Sequence, residues 1–125
     1  MISGAHLLLY SPDPDADQAV LQRILGARSV PAEPGRIIMA LPPSEIAMHE
    51  GPAGFVQSHA GHDLRGLVLY LMCDDIRAAV DTLQAGGTRC AEIEETEFGM
   101  KTTFMLPSGG EIGLYQPSHQ TAIQR

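Results

Sequence analysis

Residues 36–52, RIIMALPPSEIAMHEGP, recur as residues 101–117, KTTFMLPSGGEIGLYQP. Arg36 falls on Lys101, Leu41-Pro42 on Leu106-Pro107, and Glu45-Ile46 on Glu111-Ile112, with one extra residue in the second turn (Ser108-Gly109-Gly110 against Pro43-Ser44). The same register sets Ala47 on Gly113, Met48 on Leu114 and His49 on Tyr115. Each copy has two short strand-like arms around a Pro- or Gly-containing turn, which predicts a β-hairpin. A repeat of this kind limits the fold more tightly than any single motif, because both copies must form the same unit.

What precedes each hairpin repeats as well. Residues 4–10, GAHLLLY, read as an apolar strand with His6, Leu8 and Tyr10 on one face and Leu7 and Leu9 on the other. Asp13 is placed to cap a helix that has Pro14 at its first position, with Asp15 and Asp17 where the helix dipole favours negative charge. Ala16, Val20 and Ile24 form its apolar stripe, widened by Leu21 and Leu25, and Gly26 is the stop. Residues 27–35 contain two prolines and leave room for one short strand. Residues 53–65 lack periodicity and read as a linker. The pattern then restarts with GLVLYLM at 66–72, a Cys73-Asp74-Asp75 capping segment, and a stripe of Ile76, Ala79, Val80 and Leu83 closed by Gly86-Gly87. Residues 88–93 suggest another short strand, and Glu92, Glu94, Glu95 and Glu97 an acidic loop. The expected division is one domain over 1–125: module one 1–58, linker 59–65, module two 66–117 and a polar tail 118–125.

Strand, helix, short strand and hairpin, twice over, make an α+β chain rather than a doubly wound sheet. Half-chains of about 60 residues bury little core alone, so the halves should pack together or exchange partners in a dimer. Composition narrows the partners. A formal charge of −7 with only eight Lys and Arg argues against nucleic acid and anionic membrane. No apolar run approaches the roughly 18 residues of a membrane span, and the N-terminus lacks the pattern of a secretory signal. Cys73 and Cys90 have neither metal nor redox spacing, so both read as free thiols in a reducing cytoplasm.

The repeated blocks, above all LYLMCDDIRAAVDTLQAGG (69–87) and FGMKTTFMLPSGGEIGLYQP (98–117), resemble the vicinal oxygen chelate (VOC) superfamily of glyoxalases, bleomycin resistance proteins and extradiol dioxygenases. The resemblance covers nearly all of residues 4–117. It implies paired βαβββ modules with curled mixed sheets forming a cup, usually a homodimer, and a site inside the cup. Metal-binding members take one ligand from the first and fourth strand of each module. By that resemblance the positions here are His6, Ala47, Val68 and Gly113, and only His6 carries a donor, whereas zinc, magnesium and calcium sites need several. The expectation is therefore no metal at the usual positions. A rebuilt divalent-metal site on His6, His49 and Glu111 is the alternative, because strand alternation sets Glu45, Ala47 and His49 on a face equivalent to Glu111, Gly113 and Tyr115.

Plainer readings stand beside these. His49, Glu45 and Glu111 also suit solvated strand and hairpin ends. His59 and His62, in SHAGHD, have ligand-like spacing but a loop context. Cys73 abuts a helix start, which lowers a thiol pKa, but its capping context favours a structural role. Tyr10, Tyr70 and Tyr115 either stack on a flat ligand or pack, and Phe98 either rims a site or anchors a loop. The expected pocket comprises His6, Leu8, Ala47, His49, Val68, Tyr70, Phe98, Glu111, Gly113 and Tyr115. The leading functional expectation is a cytoplasmic homodimer that binds a small molecule without a cofactor. A metal-dependent lyase or dioxygenase is the enzymatic alternative, and a ligand-free scaffold the third.

Overall fold

In the computed structural model, residues 7, 9, 11–26, 28–32, 34–45, 47 and 56–120 are described. Both helices begin where an aspartate precedes an apolar stripe. Asp13 accepts from the Ala16 N–H at 3.4 Å and starts Pro14–Leu25 (α1), and Asp75 accepts from the Ala78 N–H at 3.1 Å and starts Ile76–Ala85 (α2). Gly26 ends α1 in the left-handed conformation, its N–H bonded to the Gln22 carbonyl. The first-helix and second-helix expectations hold at both ends.

Strands Ser29–Pro31 (β1) and Ile37–Met39 (β2) pair antiparallel. Val56–His59 (β3) and His62–Arg65 (β4) form a second antiparallel pair. The remaining strands, Tyr70–Met72 (β5), Glu94–Thr96 (β6), Gly99–Met105 (β7) and Glu111–Pro117 (β8), make a four-stranded sheet ordered β5-β8-β7-β6. β5 runs parallel to β8 and the other neighbours are antiparallel. With α2 between β5 and β6, this half is a βαβββ unit.

Period-two alternation divides the two faces of that sheet. Thr102, Phe104, Ile112 and Leu114 are buried beneath the helices, where Ile76 and Val80 of α2 and Leu21 of α1 complete the core with Leu106. Phe104 and Ile76 have no exposed surface. Gln116, on the helix side, accepts the Ile76 N–H at 2.8 Å through its side-chain oxygen and fixes the start of α2 to the end of β8. Lys101, Thr103, Glu111, Gly113 and Tyr115 alternate onto the opposite face.

Several expectations change. The segment expected as an unpatterned linker folds as the β3–β4 hairpin, turned by Ala60 and Gly61 at φ 52° and 81°. Two successive left-handed residues match the twist of a tight hairpin, so the turn chemistry at Ala60-Gly61 outweighs the missing apolar alternation. The strand expected at 66–72 is confined to Tyr70–Met72. Of residues 88–93, Cys90 alone makes a bridge, to Phe104, and the strand falls in the acidic segment as β6. Glu94 sits opposite Lys101 there, with Nζ and carboxylate 3.9 Å apart, so cross-strand charge offsets the poor strand propensity of Glu.

The first hairpin differs from its copy. β2 pairs back onto β1, and residues 40–45 and 47 carry no strand. Pro42-Pro43 lacks two N–H donors at the point where the second copy keeps a Pro-Ser-Gly-Gly turn. Residues 46 and 48–50, the rest of that arm, lie outside the described residues. So do residues 4–10 except Leu7 and Leu9, which are not in a strand.

Candidate functional site

The site grows from one register. Tyr70 on β5 is the Cα partner of Gly113 on β8, and Gly113 in turn faces Thr103 on β7. Glycine leaves room above the strand, and the Tyr70 ring fills it: a Cβ at position 113 would run into that ring. The space expected beside Gly113 is thus roofed by Tyr70. Beside this pair opens a cavity of about 330 Å³ lined by Leu9, Leu67, Val68, Tyr70, Thr103 and Glu111, among others. Leu67 and Val68 precede β5 and stand 57% and 70% exposed, which an ordinary packed strand would not leave them.

Among the described residues, Glu111 is the only charged one lining the cavity. Thr103 directs it, donating from Oγ1 to the carboxylate at 2.8 Å. The aromatic wall continues past the cavity. The Tyr70 and Tyr115 rings meet edge-on at 6.1 Å and 67°, and the His119 ring lies 5.7 Å from Tyr115. The Tyr115 hydroxyl donates to the Phe98 carbonyl at 2.6 Å. Burial, and then the charge of Glu45, push that phenol above its ordinary pKa, so it stays protonated as a donor.

Four of the expected pocket residues, Val68, Tyr70, Glu111 and Gly113, line this one cavity. Tyr115 reaches it through its contact with Tyr70, and Phe98 through its bond to Tyr115. Phe98 itself is exposed at the turn into β7, and Ala47 is exposed outside any strand. His6, Leu8, His49 and Tyr10 lie outside the described residues. Leu9, Leu67, Thr103 and His119 were not expected. Thr103 was legible in the hairpin register opposite Gly113, whereas Leu9 belonged to the other face of the expected first strand.

His59 and His62 face each other across the β3–β4 turn. Among the described residues no three His, Cys, Asp or Glu side chains gather around a common point. A metal on the four family positions does not fit this chain: Ala47, Val68 and Gly113 offer no donor atom, and Tyr70 covers Gly113. Glu111 is held by Thr103, while the other two members of the rebuilt set, His6 and His49, lie outside the described residues. Neither cysteine is activated. Burial pushes the Cys73 thiol up, reinforced by Asp74 and Asp75, and burial does the same to Cys90. Burial, and after it those two aspartates, override the lowering that a helix start alone would give.

No protein-family model and no curated protein matches the sequence. Solved structures do resemble it in three dimensions. The antibiotic binding protein TnmS3 from a Streptomyces species superposes with a TM-score of 0.56 at 21% identity, over 94% of this chain and 100% of that one. The fosfomycin resistance protein FosX from Listeria monocytogenes gives 0.57 at 16%, over 94% and 96%. A lactoylglutathione lyase from Agrobacterium tumefaciens gives 0.54 at 17%, over 91% and 92%. The chain therefore has the α+β fold of the vicinal oxygen chelate superfamily. Among the described residues no helix is long and apolar enough to cross a membrane.

Proposed function

We propose that this VOC-fold chain is a small-molecule-binding protein, working as a cytoplasmic homodimer of two-module subunits, with its ligand in the cavity beside Tyr70 and Gly113. The cavity itself carries the reading. Among the described residues its walls are aliphatic and aromatic, with Thr103 and Glu111 the polar side chains, the composition that small-molecule sites favour. Where metal-binding relatives place donors, Val68 and Gly113 contribute an apolar surface and a gap filled by a ring. The likeness to an antibiotic binding protein supplies a precedent for binding a small molecule.

The test is a thermal-shift screen of compact aromatic and amphiphilic compounds, run beside elemental analysis of protein purified without added metal. Compounds that raise the melting temperature of the native protein but not of Val68→Asp, which sets a charge on the apolar wall, support the proposal. A stoichiometric metal lost in both His49→Ala and Glu111→Gln would overturn it in favour of a lyase or dioxygenase using the rebuilt site.

A further inference from the structure

An apolar cavity with one ionisable wall is selective for charge. Glu111 is the sole charged residue among the described lining residues, and the Thr103 hydroxyl occupies one carboxylate oxygen, leaving the other to accept from a ligand. The cation nearest in register on this face of the sheet, Lys101, is two positions from Thr103 and stands 3.9 Å from Glu94, outside the lining. Tyr70 presents a half-exposed ring at the same wall, and the negative face of an aromatic ring also favours positive charge. The two features are independent and have the same sign. The volume, about 330 Å³, is at the small end of ligand pockets.

Resting on the binding function proposed above, we infer that the ligand is a compact aromatic molecule bearing a cationic nitrogen, with Glu111 as its counter-charge and Tyr70 as its aromatic face. An anion of the same shape meets a like-charged carboxylate and no compensating base among the described lining residues, so carboxylates, phosphates and phosphonates are disfavoured. The cavity thus discriminates by charge before shape. An ammonium donating to the free Glu111 oxygen makes a salt-bridged hydrogen bond, stronger than the same contact from a neutral hydroxyl.

Three probes on one scaffold test this: 1-naphthylmethylammonium, 1-naphthalenemethanol and 1-naphthoate, titrated by calorimetry at low ionic strength into native protein and Glu111→Gln. Glutamine keeps the size of the side chain and an acceptor for Thr103. The ammonium should bind about tenfold more tightly than the alcohol, the value of one charged hydrogen bond, and the naphthoate more weakly than either. Glu111→Gln should weaken the ammonium far more than the alcohol and remove most of the gap between them, and 0.5 M salt should narrow the gap in native protein. Equal binding of ammonium and alcohol, or an unchanged preference in Glu111→Gln, overturns the charge assignment and leaves the cavity as a site. Failure of all three to bind overturns the cavity reading as well.

Discussion

Asp17 of α1 and Ser108 of the β7–β8 turn, 91 positions apart, are joined by two hydrogen bonds: the carboxylate accepts from the Ser108 N–H at 3.1 Å and from its hydroxyl at 2.6 Å. The Ser11 hydroxyl donates a third at 2.6 Å. Asp17 is buried, which by itself raises a carboxyl pKa, but these three donors outweigh burial and hold it below the ordinary aspartate range. A group depressed in the native state stabilises it above the unfolded pKa and loses that contribution as pH falls through the native pKa. Asp17→Asn should cost about 1–3 kcal/mol at neutral pH, as expected for weakening buried charged hydrogen bonds. The gap between native protein and variant should shrink below about pH 4, near the unfolded aspartate pKa. Urea melts at several pH values read both effects, and a gap that is constant down to the acid limit would refute the assignment.

Tyr70 and Gly113 should couple. Gly113→Ala forces the ring off the strand and should destabilise by about 1–3 kcal/mol, the usual range for overpacking. In a Tyr70→Ala background the same change should be neutral or slightly stabilising, since alanine fits a strand better than glycine. A double-mutant cycle from thermal melts measures the interaction, and additive effects would place the ring elsewhere.

Gly99 opens β7 at φ 144°, and a Cβ there would collide with the Gln116 carbonyl of the neighbouring strand. That obstacle is backbone, which cannot swing aside. Gly99→Ala should cost at least about 2 kcal/mol from strained φ and the clash together. Gly109, also at positive φ but with open space around the added carbon, should suffer only the dihedral strain. Comparing the two alanine variants by chemical denaturation separates strain from collision.

Light scattering across micromolar concentrations should give twice the chain mass of 13.4 kDa. Leu64, Leu67 and Val68 are at least half exposed in the single chain, and a two-fold partner would cover such surface. A particle of one chain mass at every concentration would remove the dimer from the proposal.

Legibility followed the strength of local signals. Helix starts at Asp13 and Asp75 follow from caps and period, and the closing hairpin from the repeat and its Pro-Ser-Gly-Gly turn, because each cap or turn is specified within a few residues. The β3–β4 hairpin was missed because Ala60 takes a left-handed φ that alanine seldom announces. The first half diverged from its repeat at Pro42-Pro43, where sequence similarity survives a loss of donors. In the site, Gly113 follows from the family resemblance, supported by its pairing with Ala47, but what fills the space above it depends on Tyr70, and no spacing within either strand relates the two. Asp17 was read as a dipole residue; the serine that explains it belongs to the far end of the chain.

The parallel pairing of β5 with β8 has a consequence for synthesis. Bonds such as Cys73 N–H to the Tyr115 carbonyl, at 2.9 Å, join segments that leave the ribosome more than forty residues apart. α2 and the β6-β7-β8 strands can form from neighbours, but β5 gains its strand partner only when β8 docks beside it. Until then the apolar side chains of β5 lie open to other nascent chains. The cavity beside Tyr70 consequently forms only after β8 has been made, is absent from any chain that stops before that strand, and is vulnerable to whatever captures exposed strands first.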